Sequence, residues 1–333
     1  MKQSLNLLLF SLLSVVLAAG IAKPQSGGLS SRPSPEASAY FEQAFDFIKS
    51  NAYFHKHLDF SKLKKQALAQ MQHAQSVADT HEAIRFVLSQ LNDRHSFLQP
   101  ARKHHGSPSE GTTVGRFKIP FEVSVDGDFG IIKLRSYNST DAGNAHRIAD
   151  SLYSCLLDFD RKNVKGTIID LREMEGGTYI PFVTALAPLI DESELIGFVD
   201  RKGKKSRTIR YKNGIYYQQG RKRARLGYLS RYERPGVAGL PIAVLTGQYT
   251  ASSGEMILLS LRGLPQVRTF GAATYGVPTG KTNIFLVDSS LISLTSTVCF
   301  DRKRQIHSSA IQPDLACAEK DAMDLAKSWI NRH

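Results

Sequence analysis

Cysteine is scarce: three residues in 333, Cys155, Cys299 and Cys317. They form no CxxC pair and no HExxH occurs, so the common zinc-ligand spacings are excluded and neither a metal nor a cofactor is expected. A disulfide-stapled miniature domain is excluded too, because a chain of this length can bury a core without staples. An oxidising compartment would still permit one bridge. Cys299 with Cys317 is the favoured pair, since both fall in the C-terminal strand region and Cys155 falls in a helix; three buried thiols are the equal alternative. Acidic residues are outnumbered, 30 against 43 Lys and Arg, for a net charge of +13. None lies between Arg201 and Arg225, a run that fits a solvated hairpin or a surface meeting an anionic membrane. No nucleic-acid recognition motif accompanies the charge, so nucleic acid is not an expected partner.

Long apolar runs are also lacking. The strongest, Leu5 to Ala19, falls short of the roughly 20 residues of a bilayer span. It follows Lys2 and precedes Gly20-Ile21-Ala22, the pattern of a cleavable export signal, with an uncleaved anchor as the alternative. Residues 1–22 are therefore read as a signal peptide, and a secreted, periplasmic or cell-envelope location follows. Residues 23–35, rich in Pro, Gly and Ser, read as a flexible tether.

What is present is a folded chain with 42% apolar residues. From residue 36 to 98 apolar positions recur at helical spacing, as in Phe41, Ala44, Phe45 and Ile48, then Ile84, Val87, Leu88 and Leu91. This predicts a small helical bundle, with Asp59 capping a helix through Leu63 to Ala74. Residues 99–113, with Pro, Gly and His104-His105, read as a loop. Strands are expected over 117–125 and 129–134 around Asp126-Gly127-Asp128, and a helix over 141–159. Short apolar strands at 166–171 and 241–246, the second followed by a helix over 252–261, predict an α/β fold with a buried parallel sheet. Two strands flanking Asp288-Ser289-Ser290 and a helix over 318–331 complete the chain, and 191–235 reads as a β-rich basic cap.

Three local features carry chemistry. Ser252, in Thr250-Ala251-Ser252-Ser253-Gly254-Glu255, stands where a strand gives way to a helix, so backbone N–H groups and the helix dipole favour negative charge there. A hydroxyl so placed can attack a carbonyl while the Ser253 N–H holds the developing charge. Ser252-x-x-Glu255 is equally an ordinary capping box, which needs no chemistry. Asp170 to Gly177 runs a buried strand into the pair Gly176-Gly177, either a tight turn or a backbone that offers its N–H groups to a ligand. His95, in Leu91-Asn92-Asp93-Arg94-His95-Ser96, is a base or simply a helix C-terminal cation.

In this order the three resemble the C-terminal-processing (tail-specific) and tricorn-core serine peptidases. Two further motifs agree: Gly271-Ala272-Ala273-Thr274-Tyr275-Gly276 for GxxTxG, and Ala310-Ile311-Gln312-Pro313-Asp314 for GxxPD. The resemblance spans residue 36 to about Cys317 and implies a ClpP/crotonase-like peptidase core over 113–333 with no metal or cofactor. It implies Ser252 as nucleophile and Gly176, Gly177 and Ser253 as oxyanion-hole residues. Two departures stand out: Met174 replaces the Asn of the glycine motif, and Val277 stands where the Ser-Lys branch has its lysine, with Lys281 too far on to match. Leu91 to Ser96 instead resembles the LxDxHS motif of the Ser-His branch, which implies His95 as base. Its ordinary pKa near 6.5 suits that work. Nothing identifies the group that orients His95; Asp93, Glu255 and Asp314 are the candidates. Short members without a PDZ domain include nisin-resistance peptidases and retinoid-binding-protein-like modules. The implied function is an extracytoplasmic serine endopeptidase acting on C-terminal parts of peptides or proteins, or else a ligand- or lipid-binding module on the same fold.

Overall fold

The computed structural model describes residues 32–101, 119–139, 141–190, 194–213, 215–219 and 223–333. The segment read as an export signal, most of the one read as a tether, and the stretch holding His104-His105 lie outside the described residues.

Three helices open the described chain: α1 (Pro35–Asn51), α2 (Phe60–Gln70) and α3 (His81–Ser89). The Ser34 hydroxyl accepts the Ala37 N–H at 3.1 Å and Pro35 takes the first helical position, where its missing N–H costs nothing. Asp59 caps α2 as expected, accepting the N–H groups of Ser61 and Lys62 at 2.9 and 3.1 Å. Phe41, Phe45, Ile48, Ile84, Val87 and Leu88 form one apolar cluster. That cluster runs on into Leu98, Leu286, Ile292 and Leu294, so the bundle shares its core with strands from both ends of the chain.

The strands follow as β1 (Phe97–Gln99), β2 (Phe121–Asp126), β3 (Phe129–Leu134), β4 (Gly166–Asp170), β5 (Glu194–Asp200), β6 (Lys205–Lys212) and β7 (Ile215–Gln219). Then come β8 (Arg223–Tyr228), β9 (Ile242–Thr246), β10 (Val267–Gly271), β11 (Thr279–Phe285), β12 (Leu291–Phe300), β13 (Ile306–His307) and β14 (Leu315–Ala316). One sheet has the order β14-β10-β9-β4-β3-β2, parallel but for the β2–β3 hairpin. The other, antiparallel, runs β1-β12-β5-β6-β7-β8, with β11 and β13 also paired to β12. The basic segment is thus a meander, β6–β8, at one end of this sheet.

Between the sheets lie α4 (Ala142–Arg161), α5 (Ile180–Leu186) and α6 (Ser253–Leu261); α7 (Ala322–Ile330) covers the far face of the parallel sheet. Strand alternation divides the two cores: Ile169 and Val244 face the middle, while Ile168, Ala243 and Leu245 face Trp329 and Ile330 of α7. Of the two alternatives, a Cys299–Cys317 bridge is not formed and three buried thiols hold only in part: all three cysteines are free, and Cys299 alone is buried. The reason is geometric: Cys299 is buried in the middle core and Cys317 packs with the α7 cluster, across the parallel sheet. The last helix begins at Ala322, four positions later than expected from residue 318.

Candidate active site

The loop from β9 into α6 is pinned before it reaches Ser252. Thr250 Oγ1 donates to the Leu171 carbonyl at 2.9 Å and accepts the Gly247 N–H at 3.0 Å, and the Ala251 N–H donates to the Met174 carbonyl at 3.0 Å. Met174, where the family motif has Asn, is fully buried against this turn. A Cβ on Gly254 would come within 2.5 Å of its carbonyl oxygen.

Ser252 itself has φ +50° and ψ −106°. An N-cap residue normally sits in extended conformation, so this is not ordinary capping geometry. A non-glycine residue in such a region costs on the order of 1–3 kcal/mol and persists only when its surroundings over-determine it. Here Glu255 does that. Its Oε2 accepts the N–H groups of Ser252 and Val277, both at 2.9 Å; its Oε1 accepts the Gly276 N–H at 2.9 Å and the Thr274 hydroxyl at 2.5 Å. The Thr274 hydroxyl in turn accepts the Ile311 N–H at 2.9 Å. One carboxylate therefore gathers the serine turn and the GxxTxG segment, and reaches the segment before Pro313-Asp314 through Thr274. Burial pushes its pKa up, and these hydrogen bonds oppose the rise.

Gly176 and Gly177 arrive from β4 with φ of +148° and +103°. A Cβ on Gly176 would stand 3.4 Å from the Ser252 Cβ, and one on Gly177 only 2.1 Å from the Tyr137 carbonyl oxygen. The Ser253 hydroxyl donates to the Gly177 carbonyl. The Ser253 N–H opens α6 and has no intrahelical acceptor, so partial positive charge collects beside Ser252.

His95 lies in the loop between α3 and β1, with Asn92 and Arg94 at φ +53° and +52°. Asp93 Oδ1 accepts the N–H groups of His95 and Ser96 at 3.0 and 2.9 Å, and Oδ2 accepts the Ser96 hydroxyl at 2.5 Å. Ser96 Oγ then accepts the Thr295 N–H at 2.9 Å, latching the loop to β12. His95 Nδ1 lies 2.6 Å from Thr279 Oγ1 on β11. His95 and Ser252 line one cleft of about 260 Å³ with Arg94, Glu175, Tyr249, Ala251, Tyr275 and Val277. Burial, and then the Lys281 ammonium, lower the His95 pKa to about 4, with Asp93 opposing. Lys281 sits 5.0 Å above the Phe97 ring, and burial lowers its own pKa.

Residues 128–317, more than half of the chain, match the family described as Peptidase family S41. This chain belongs to peptidase family S41. As an S41 peptidase it is a serine-type hydrolase, and its substrates are peptides or proteins. It is 26% identical over 301 residues to the nisin-resistance protein of Lactococcus lactis subsp. lactis, covering 90% of this chain and 89% of the relative. It is 27% identical over 208 residues to the carboxy-terminal processing protease CtpA of Bacillus subtilis, covering 61% of this chain and 39% of CtpA. Among solved structures, a lipoprotein from Streptococcus agalactiae superposes with a TM-score of 0.70 at 21% identity, covering 90% of this chain and 97% of that one.

The S41 peptidase thus brings Ser252, Gly176, Gly177, Ser253 and His95 to one region, but the three carboxylates considered for orienting His95 bond elsewhere. Asp93 holds its own loop and Glu255 the serine turn. Asp314 Oδ2 takes the Thr269 N–H and hydroxyl at 3.0 and 2.8 Å, and its Oδ1 is 3.4 Å from Arg262 Nη2. The imidazole's neighbour is Thr279, which sequence reasoning missed. A threonine opening a strand carries no recognisable signal, and its contact with His95 spans 184 positions.

Proposed function

We propose that this S41 peptidase is an extracytoplasmic serine endopeptidase in which Ser252 is the nucleophile and His95 the general base. The Ser252 hydroxyl attacks the scissile carbonyl and passes its proton to His95 Nε2. The carbonyl oxygen, now anionic, is held by backbone N–H groups of the Gly176-Gly177 turn and of Ser253. Collapse breaks the C–N bond, and His95 returns the proton to the departing amine, leaving an acyl-serine. Water, activated by the same imidazole, releases the second product. The observation that carries this reading is a strained serine at a helix N-terminus sharing one cleft with a half-buried imidazole.

The substrate class follows from likeness: the relative named for carboxy-terminal processing supports the C-terminal parts of peptides or proteins. An envelope location rests on the apolar segment of residues 5–19 and on similarity to a lipoprotein and a nisin-resistance protein. Residues 201–225 are read as docking on an anionic membrane surface, each basic residue contributing about 1 kcal/mol there. Vesicle binding indifferent to salt would sink that part.

The decisive test is labelling by a fluorophosphonate probe alongside peptide hydrolysis. Both are expected in the wild type and abolished in Ser252→Ala and in His95→Ala, while Lys281→Ala keeps them. Full hydrolysis by Ser252→Ala would refute the nucleophile. Loss in Lys281→Ala with retention in His95→Ala would transfer the role of base to the lysine.

A further inference from the structure

We propose that Thr279 is the positioning residue for His95: its hydroxyl accepts the hydrogen bond from Nδ1–H, which keeps that proton on Nδ1 and presents Nε2, unprotonated, to Ser252. The inference rests on the Ser252–His95 reading and adds the partner that reading lacks.

The contact at 2.6 Å is well built on both sides. Thr279 is 3% exposed, is paired to Val298 across the β11–β12 ladder, and donates its own N–H to the Val277 carbonyl at 2.7 Å. A β-branched side chain is stiff about χ1, so its hydroxyl has little freedom to wander. On the histidine side, the Ser96–Thr295 bond fixes the loop to β12, and Thr295 is itself paired with Lys281 of β11. Imidazole and hydroxyl are therefore mounted on the same two-stranded ribbon.

A hydroxyl in this place differs chemically from the carboxylate of a Ser-His-Asp triad. It fixes the tautomer but brings no full negative charge to the imidazolium that forms during attack. The other charged groups facing His95 do little to replace it. Arg94 and Lys281 are cationic; Asp93 is committed to its own loop, and Glu175 stands at the cleft wall.

The test compares Thr279→Val, Thr279→Ser and Thr279→Asp in the full chain, with kcat and KM measured across pH 3.5 to 8. Thr279→Val should lose roughly tenfold or more in kcat at unchanged KM, within the 10²–10⁴ that general-base catalysis supplies as a whole. Thr279→Ser should restore it, and Thr279→Asp should move the acid limb of kcat/KM upward. Nitrogen-15 NMR of the wild-type imidazole gives a reading that needs no variant to fold: the Nδ1-protonated tautomer is expected at pH 7. An Nε2-protonated ring, or wild-type kcat in Thr279→Val while His95→Ala is dead, would overturn the positioning role. An active His95→Ala would instead overturn the catalytic pair beneath it.

Discussion

The Glu255 carboxylate accepts the backbone N–H of Ser252 at 2.9 Å, three residues along the same chain. That contact is one half of a capping box, and it is compatible with a chemical role for the serine. Because Glu255 also holds Thr274, Gly276 and Val277, the cap becomes a clamp that keeps Ser252 in a conformation an ordinary helix start would not adopt.

The clamp predicts a joint loss of stability and activity. Glu255→Ala leaves the N–H groups of Ser252, Gly276 and Val277 and the Thr274 hydroxyl without their acceptor and should destabilise the fold by about 2–4 kcal/mol, a little over one unsatisfied buried donor. Glu255→Gln keeps an acceptor for some of them and should cost less. Urea denaturation monitored by intrinsic fluorescence gives both values; equal stabilities for Ala and wild type would remove the clamp.

The pH dependence follows from His95. With its pKa near 4, the imidazole stays neutral through most of the acid range, so kcat/KM should fall only as pH drops towards about 4 rather than near 6.5. Replacing Lys281 by Gln removes a neighbouring cation, eases protonation and should shift that limb to higher pH. The same depression affects folding. Between about 6.5 and about 4 the unfolded histidine binds a proton that the folded one does not, so stability from this group declines as pH falls through that window. A limb near 6.5 that ignores Lys281→Gln would contradict the assignment.

Glycine replacements should separate backbone strain from steric contact. Gly177→Ala forces a Cβ to 2.1 Å from the Tyr137 oxygen at φ +103°, so the turn must shift, and kcat should fall by roughly 10²-fold or more, the cost of one lost oxyanion donor. Gly176→Ala meets Ser252 Cβ at a tolerable 3.4 Å but at φ +148°, and should lose less. Equal kcat for wild type and Gly177→Ala would place the oxyanion donors elsewhere.

Reductant should have no effect on thermal stability, because all three cysteines are free. Cys299, buried and with its thiol pKa pushed up by burial, should resist alkylation in the native state. A mass shift showing a Cys299–Cys317 bridge in the purified protein would contradict the packing of these residues into separate cores.

Much of this was legible in the sequence. The strand, turn and helix around Ser252 follow from an apolar run, small residues and a capping signature, and the alternation of β4 and β9 with helices announces the parallel sheet. What was not legible depends on long-range pairing. Helix α5 is short and buried all round, so it carries no amphipathic period. Glu255 looks like a local cap until β10 and its following turn bring Thr274, Gly276 and Val277 to it. Thr279 gains meaning only because β12 seats the histidine loop beside β11.

That seating also has a consequence in time. Ser96 and Thr295, joined by one hydrogen bond, are 199 positions apart, so the loop bearing His95 is synthesised long before the strand that receives it. A chain cut short before β12 carries the proposed base without the strand that receives its loop. Order in the proposed site therefore waits on the C-terminal third of the chain.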